Sequence, residues 1–302
     1  MTPCPDPLGV HGGDGARHAR ALGIGVEEIL DLSASLNPLA PDVAPIVRGV
    51  LGAVGRYPDP LLATEALAGA IGVDPGHLLL TNGGAEAISL VARRLGGTVH
   101  EPEFSLYPRT GGPTWRSNPN NPLGCLAASD ATAGVWDEAF WPLATGTWSR
   151  GDHQRGSVVV GSLTKLFACP GLRIGYLVAD GDLVDHMRHD QPAWSVGGLA
   201  CEALPVLLDE VDLVAWCRGV AELRAELVAS LVERGLRVRD AAAPWVLVDD
   251  AAGLRASLLR HAVVVRDCGS FGMAGTVRIA VPRHDQLGYL LGALDSVLSE
   301  RI

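Results

Sequence analysis

The run Ser157-Val158-Val159-Val160-Gly161 has strand length and no polar face, so it reads as a buried strand. It leads directly into Ser162-Leu163-Thr164-Lys165, which contains the only lysine of the 302 residues. All the other basic side chains among the 24 lysines and arginines are arginine. Arginine cannot replace an amine that must lose its proton and attack a carbonyl, because a guanidinium stays charged at any biological pH. The flanking residues suit a phosphorylated aldehyde cofactor: Lys165 would form the Schiff base, while the hydroxyls of Ser162 and Thr164 and Arg173, eight residues after the lysine, would hold the phosphate. Position alone would favour an ordinary surface lysine; the neighbours reverse that reading.

Composition removes several function classes. A net charge of −10 and the lack of any basic block argue against a nucleic-acid surface. No apolar run reaches the ~18 residues of a membrane span, and Met1-Thr2-Pro3-Cys4-Pro5 lacks the basic-then-apolar pattern of a signal peptide. The six cysteines form no Cys-x-x-Cys pair and read as small core residues in a reducing cytoplasm. The nine histidines show no His-x-x-x-His pair on a plausible helix face, so no metal is expected.

Along the chain, residues 1–41 read as a loop-like arm with one strand at Ile29–Leu32. Helical patterning at 42–54 and 61–72 precedes a strand His77–Thr81, a glycine turn and a helix from Ala85 to about Leu95. That unit offers helix N-terminal amides to an anion. Further strands are expected at 97–101, 133–136, 157–161 and 173–179. A long helical stretch at 205–234 then leads into a second α/β pattern that runs to the C-terminus. The division is therefore an arm (1–41), a large domain (42–204) and a small domain (205–302).

At this point the chain resembles the fold-type I aminotransferases, which depend on pyridoxal 5'-phosphate (PLP). Asn82-Gly83-Gly84-Ala85-Glu86 looks like their phosphate-binding turn, and Phe104 in Pro102-Glu103-Phe104 lies where they place a ring-stacking aromatic. Asn118-Pro119-Asn120-Asn121-Pro122-Leu123-Gly124 resembles their Asn-Pro-x-Gly motif, with Asn121 directed at the ring hydroxyl. Asp137 in Asp137-Glu138-Ala139-Phe140 would face the pyridine nitrogen, and Ser162, Lys165 and Arg173 complete the set in the family's chain order. Each element alone is weak, since an Asn-Pro run is usually a turn and an Asp after a strand is usually a helix cap. The resemblance implies an α/β fold with a mostly parallel sheet in the large domain. Two departures stand out. Phe140 replaces a common tyrosine, and the span between Phe104 and Asp137 is too short for the usual crossover helices. Part of the sheet is therefore expected to be exposed or covered by a partner subunit.

Arg278 looks like the family's α-carboxylate binder, and Arg266 lies twelve residues before it. The segments His11-Gly12-Gly13-Asp14, Ile29–Leu39 and Arg266-Asp267-Cys268 look most like the threonine-phosphate decarboxylases of cobalamin biosynthesis, beside the histidinol-phosphate aminotransferases. By that resemblance His11, Asn37 and Arg266 would surround a substrate phosphate, and Tyr57 would reach the cofactor phosphate of a neighbouring subunit in a homodimer. The implied reaction is decarboxylation of L-threonine O-3-phosphate to (R)-1-aminopropan-2-yl phosphate. The alternatives are transamination of histidinol phosphate or a related amino acid, and a PLP-binding protein with little catalysis.

Overall fold

The structure is a computed structural model that describes residues 11–300; the start of the expected arm, with Cys4, lies outside the described residues. Among the described residues twelve strands follow one another. They are β1 (Leu30–Asp31), β2 (Leu78–Asn82), β3 (Thr98–Val99), β4 (Thr114–Ser117), β5 (Val135–Asp137), β6 (Val158–Ser162) and β7 (Ile174–Val178), then β8 (Arg237–Arg239), β9 (Trp245–Asp249), β10 (Val263–Val264), β11 (Arg266–Asp267) and β12 (Val277–Ala280).

Strands β2 to β7 form one sheet in the order β2-β7-β6-β5-β4-β3. It is parallel from β3 through β6, and β7 runs antiparallel to both of its neighbours. The apolar run at 158–160 is buried because the sheet is covered on both sides. Val158 and Val160 pack with Ile88, Val91 and Trp115 against helix Gly83–Leu95. Val159 faces the other way, with Leu67, Trp136 and Leu204, beneath helices Leu61–Ile71 and Gly198–Asp209. A second sheet, β11-β12-β9-β8, is antiparallel throughout, and β1 pairs in parallel with β10.

Helix Leu213–Glu233 links the two cores. Its Leu213 and Trp216 belong to the first, and its Leu227 and Leu231 to the second. The helical stretch expected as one piece over 205–234 is broken at 210–212, where Asp212 caps the long helix by accepting from the Ala215 N–H at 2.9 Å. The boundary expected after 204 thus falls inside helix Gly198–Asp209, whose buried side chains belong to the first core. The arm also differs from a plain loop: Gly15–Leu22 is a helix, ended by Gly23 in the left-handed region.

The connections β3–β4 (100–113) and β4–β5 (118–134) contain no helix, as the short span requires. The sheet beneath them is nevertheless covered, because Trp115 and Trp136 are both fully buried. Tyr107, from the first connection, fills one face beside Trp115, with ring centroids 5.3 Å apart. On the other face a coil packs Ala127, Ala131 and Ala133 on the core. One cation organises that coil. Arg150 Nη2 donates to the carbonyls of Ala128, Ser129 and Ala131 at 3.1, 2.8 and 3.0 Å, and its guanidinium lies 4.7 Å from the Trp136 ring centroid. The exposed sheet expected from the missing helices is thus replaced by a loop-covered one.

Candidate active site

Lys165 lies just past the end of β6, in the helical turn Leu163–Leu166, and its Nζ donates to the carbonyl of Ala34 at 3.0 Å. Burial, reinforced by the positive charge of Arg278, Arg173 and Arg266, lowers its pKa to about 8. A substantial fraction of the amine is therefore neutral near physiological pH. The lysine opens into a cavity of about 300 Å³ between the two sheets.

One end of this cavity is made for an anion. Helix Gly83–Leu95 presents its N-terminus there, through Gly84 and Ala85. Ser162 and Thr164 line the same wall, their hydroxyls 2.8 Å apart. Arg173 crosses the turn so closely that a Cβ on Gly83, which has φ of +74°, would sit 2.3 Å from its guanidinium. A Cβ on Gly84 would press on Ser162 at 3.2 Å.

Asp137, at the end of β5, accepts from Tyr107 Oη at 2.7 Å through Oδ2 and from the Ala139 N–H at 2.9 Å through Oδ1. Burial raises its pKa, and those two bonds with the charge of Lys165 oppose the rise. Phe104 lines the cavity too, with its ring centroid 5.9 Å from that of His11. Burial, then the charge of Arg266, lowers the pKa of His11 and so favours its neutral imidazole.

Arg266 and Arg278, the two arginines expected on the substrate side, come from directly opposed positions of β11 and β12. Opposed residues on neighbouring antiparallel strands share a face, so both side chains enter the cavity. Arg278 donates to Asn121 Oδ1 at 2.6 Å and to the Ser33 carbonyl at 3.2 Å, over the Trp245 ring. Arg266 lies over Phe271. Burial lowers both pKa values, yet a guanidinium stays charged, so the site carries a concentrated positive field.

Most of the residues read from the sequence thus converge: His11, Gly84, Ala85, Phe104, Asn121, Asp137, Ser162, Lys165, Arg173, Arg266 and Arg278 share one cavity, and Gly83 underlies it. Two stand apart. Asn37 is buried with its amide already committed, Nδ2 to the Leu166 carbonyl at 2.9 Å and Oδ1 to the Leu39 N–H at 3.0 Å, so it braces the segment after Lys165 from outside the cavity. Tyr57 is 75% exposed and stacks near Trp194. Tyr107, which donates to Asp137, is a part of the site that the motifs did not identify. Among the described residues no His, Cys, Asp or Glu cluster could hold a metal, and no helix is long and apolar enough to cross a membrane.

The donor set fits PLP. A buried carboxylate with a raised pKa needs a cationic partner, and a protonated pyridine nitrogen is one; the glycine turn leaves room for a phosphate; and Lys165 supplies the only lysine amine. The fold and site together define a fold-type I, PLP-dependent enzyme. The chain belongs to the aminotransferase class I and II family, whose model matches residues 118–294. Histidinol-phosphate aminotransferase 1 of Nitrosococcus oceani is 27% identical, covering 91% of this chain and 90% of that protein. Threonine-phosphate decarboxylase of Salmonella typhimurium is 29% identical, covering 96% of each. These alignments run to 338 and 352 positions, longer than the chain itself, so both relatives carry segments that it lacks. In fold it matches histidinol-phosphate aminotransferase from Sinorhizobium meliloti, solved in complex with pyridoxal-5'-phosphate, with a TM-score of 0.84 at 17% identity over all of this chain and 98% of that one.

Proposed function

We propose that the chain is an aminotransferase of a small phosphorylated amino compound, with histidinol phosphate as the first candidate donor. The observation that carries this reading is the opposed pair Arg266 and Arg278, two buried guanidiniums in the cavity of Lys165, which suit a phosphate dianion. Similar curated relatives include several named for histidinol phosphate and one named for threonine phosphate, which supports the aminotransferase reading ahead of the decarboxylation expected from the sequence. PLP, when bound, supplies the electron sink that lets a bond to the substrate α-carbon break. In this reading Asp137 holds the proton on the pyridine nitrogen, with Tyr107 fixing its carboxylate. Phe104 covers one ring face. Asn121, whose Oδ1 is occupied by Arg278, offers Nδ2 to the ring hydroxyl. Gly84, Ala85, Ser162, Thr164 and Arg173 hold the cofactor phosphate. Lys165, with its lowered pKa, would serve as the general base, its Nζ accepting the proton of the substrate α-carbon.

A second reading is decarboxylation of L-threonine O-3-phosphate, in which the two arginines hold different groups, Arg278 the α-carboxylate and Arg266 the phosphate. The relative at 29% identity supports it. The two reactions differ in which bond to the α-carbon stands perpendicular to the ring. Product analysis separates them. The PLP-loaded protein is incubated with histidinol phosphate plus a 2-oxo acid, and separately with threonine phosphate alone. Amino-group transfer in the first mixture supports the main reading, carbon dioxide from the second supports the alternative, and turnover in neither leaves the PLP-binding protein.

The working unit in this reading is a homodimer. Leu51, Val54, Tyr57, Leu61, Leu62 and Trp194 are all more than half exposed in one region, which suits coverage by a second copy. From there Tyr57 would reach the partner's cofactor phosphate. Cys125, Cys169, Cys201, Cys217 and Cys268 are free thiols, as suits a reducing cytoplasm.

A further inference from the structure

Glu103 ties together two loops of the site without lining the cavity itself. It is 4% exposed. Its oxygens accept the Ser117 N–H at 3.1 and 3.2 Å, and the Ser117 hydroxyl donates to Oε2 as well. Ser117 Oγ accepts in turn from the Asn121 N–H at 2.8 Å, and Asn121 Oδ1 accepts from Arg278. Asn120 adds a bond from Nδ2 to the Pro102 carbonyl at 3.2 Å. A continuous set of hydrogen bonds therefore runs from the residue before Phe104 to the guanidinium of Arg278.

The location explains the need. Phe104 and Asn121 sit on the two connections that have no helix, so neither has a regular backbone ladder to hold it. A carboxyl buried here is costly. Burial pushes its pKa up to about 7, against the bonds from Ser117, and Asp137 raises it further. Its bonds reach backbone and side chain of a residue fourteen positions away. An apolar side chain would fill the space and leave the buried Ser117 N–H unpaired.

We propose that Glu103 is a positioning residue of this site: acting through Ser117, its carboxylate fixes the Asn121 loop against the Phe104 loop and so sets the guanidinium of Arg278. The proposal rests on reading the cavity as the PLP site. Glu103→Gln keeps the size but puts an NH2 group against Ser117, Glu103→Asp keeps the charge, and Ser117→Ala removes the relay. Each variant and the double variant Glu103→Gln/Ser117→Ala are compared with the natural chain by amide hydrogen exchange over 114–123 without cofactor. Visible circular dichroism with PLP, and KM and kcat for whichever phosphorylated substrate turns over, complete the set.

In Glu103→Gln, exchange at Ser117 and Asn121 is expected to quicken about tenfold and KM to rise about tenfold with a smaller change in kcat, as for the loss of one charge-assisted bond. Glu103→Asp should recover part of both. The double variant should be no worse than the poorer single one, because the two residues act in series. Unchanged exchange and dichroism in Glu103→Gln would overturn the proposal, as would fully additive losses. If Glu103→Gln does not fold, Ser117→Ala is read by the same measurements, and slow exchange at Asn121 in it counts against the relay. If the natural chain binds no PLP, the reading of the cavity falls instead, while the exchange data still decide the role of Glu103 between the loops.

Discussion

Arg278 donates to Asn121 across 157 residues of sequence, and this 2.6 Å bond joins the antiparallel C-terminal sheet to the loop after β4. In the proposed function Asn121 would face the cofactor ring and Arg278 the substrate anion, so this bond would tie the two binding groups to each other.

Lys165→Ala is expected to abolish the visible absorption of the PLP-loaded protein, and borohydride should fix the cofactor to Lys165 alone in the natural chain. The rate of cofactor capture should follow the free amine. With a pKa of about 8, the rate should rise about tenfold per pH unit well below 8 and level off above it. The folded pKa lies below the unfolded value of about 10.4, so the unfolded chain binds more protons between about 8 and 10.4, and this group alone makes stability rise with pH across that window. A capture rate that is flat from pH 6 to 9 would contradict the assignment.

Asp137→Asn should fold and retain some cofactor while losing about 10²- to 10³-fold in rate, the scale of one preorganised electrostatic contact. Tyr107→Phe should lose less, because the Ala139 N–H still holds the other oxygen. Steady-state rates at saturating PLP test both, and near-natural turnover in Asp137→Asn refutes the role.

The opposed arginines should separate by substrate. Arg266→Ala should weaken phosphorylated substrates about ten- to hundredfold and leave their unphosphorylated counterparts nearly unchanged. If Arg278 holds a carboxylate, Arg278→Ala should weaken threonine and threonine phosphate alike; if both arginines share one phosphate, the two variants should behave the same with histidinol phosphate. Binding titrations of each variant with each ligand decide it.

Arg150→Met should unfold more easily, by about 3 kcal/mol in urea titrations. It removes three bonds to coil carbonyls and the contact over Trp136, and it leaves buried Asp152 with Arg155 as its remaining ion-pair partner. A loss under 1 kcal/mol would show that the coil holds without it.

The sequence makes legible what is local or carried by a motif. Ser162, Lys165 and Arg173 lie on one strand–turn–strand passage, and Asp137 and the turn at Gly83–Ala85 end apolar strands, so each has a pattern around it. Glu103 and Tyr107 have none: they sit in coil, and their partners Ser117 and Asp137 are 14 and 30 positions away. Strand β4 is hidden in the sequence because its buried face consists of Trp115 and the polar Ser117, which leaves a single apolar residue to mark it. Asn37 shows the opposite failure. The family resemblance of its segment implies a phosphate contact, but the amide is occupied by backbone groups whose proximity only the fold reveals.

Replacing crossover helices by coil also changes the order in which the chain can assemble. A helix can form from its own neighbours, but the 118–134 coil is held largely by Arg150, which arrives only after β5 has been made. The 100–113 coil likewise waits for Ser117 and Asp137. Both loops depend on contacts distant in sequence, which slow folding chains form late. The half of the site built from Phe104 and Asn121 therefore closes around a sheet that already exists, and pulse-labelled exchange during refolding should protect Val158–Val160 before Ser117 and Asn121.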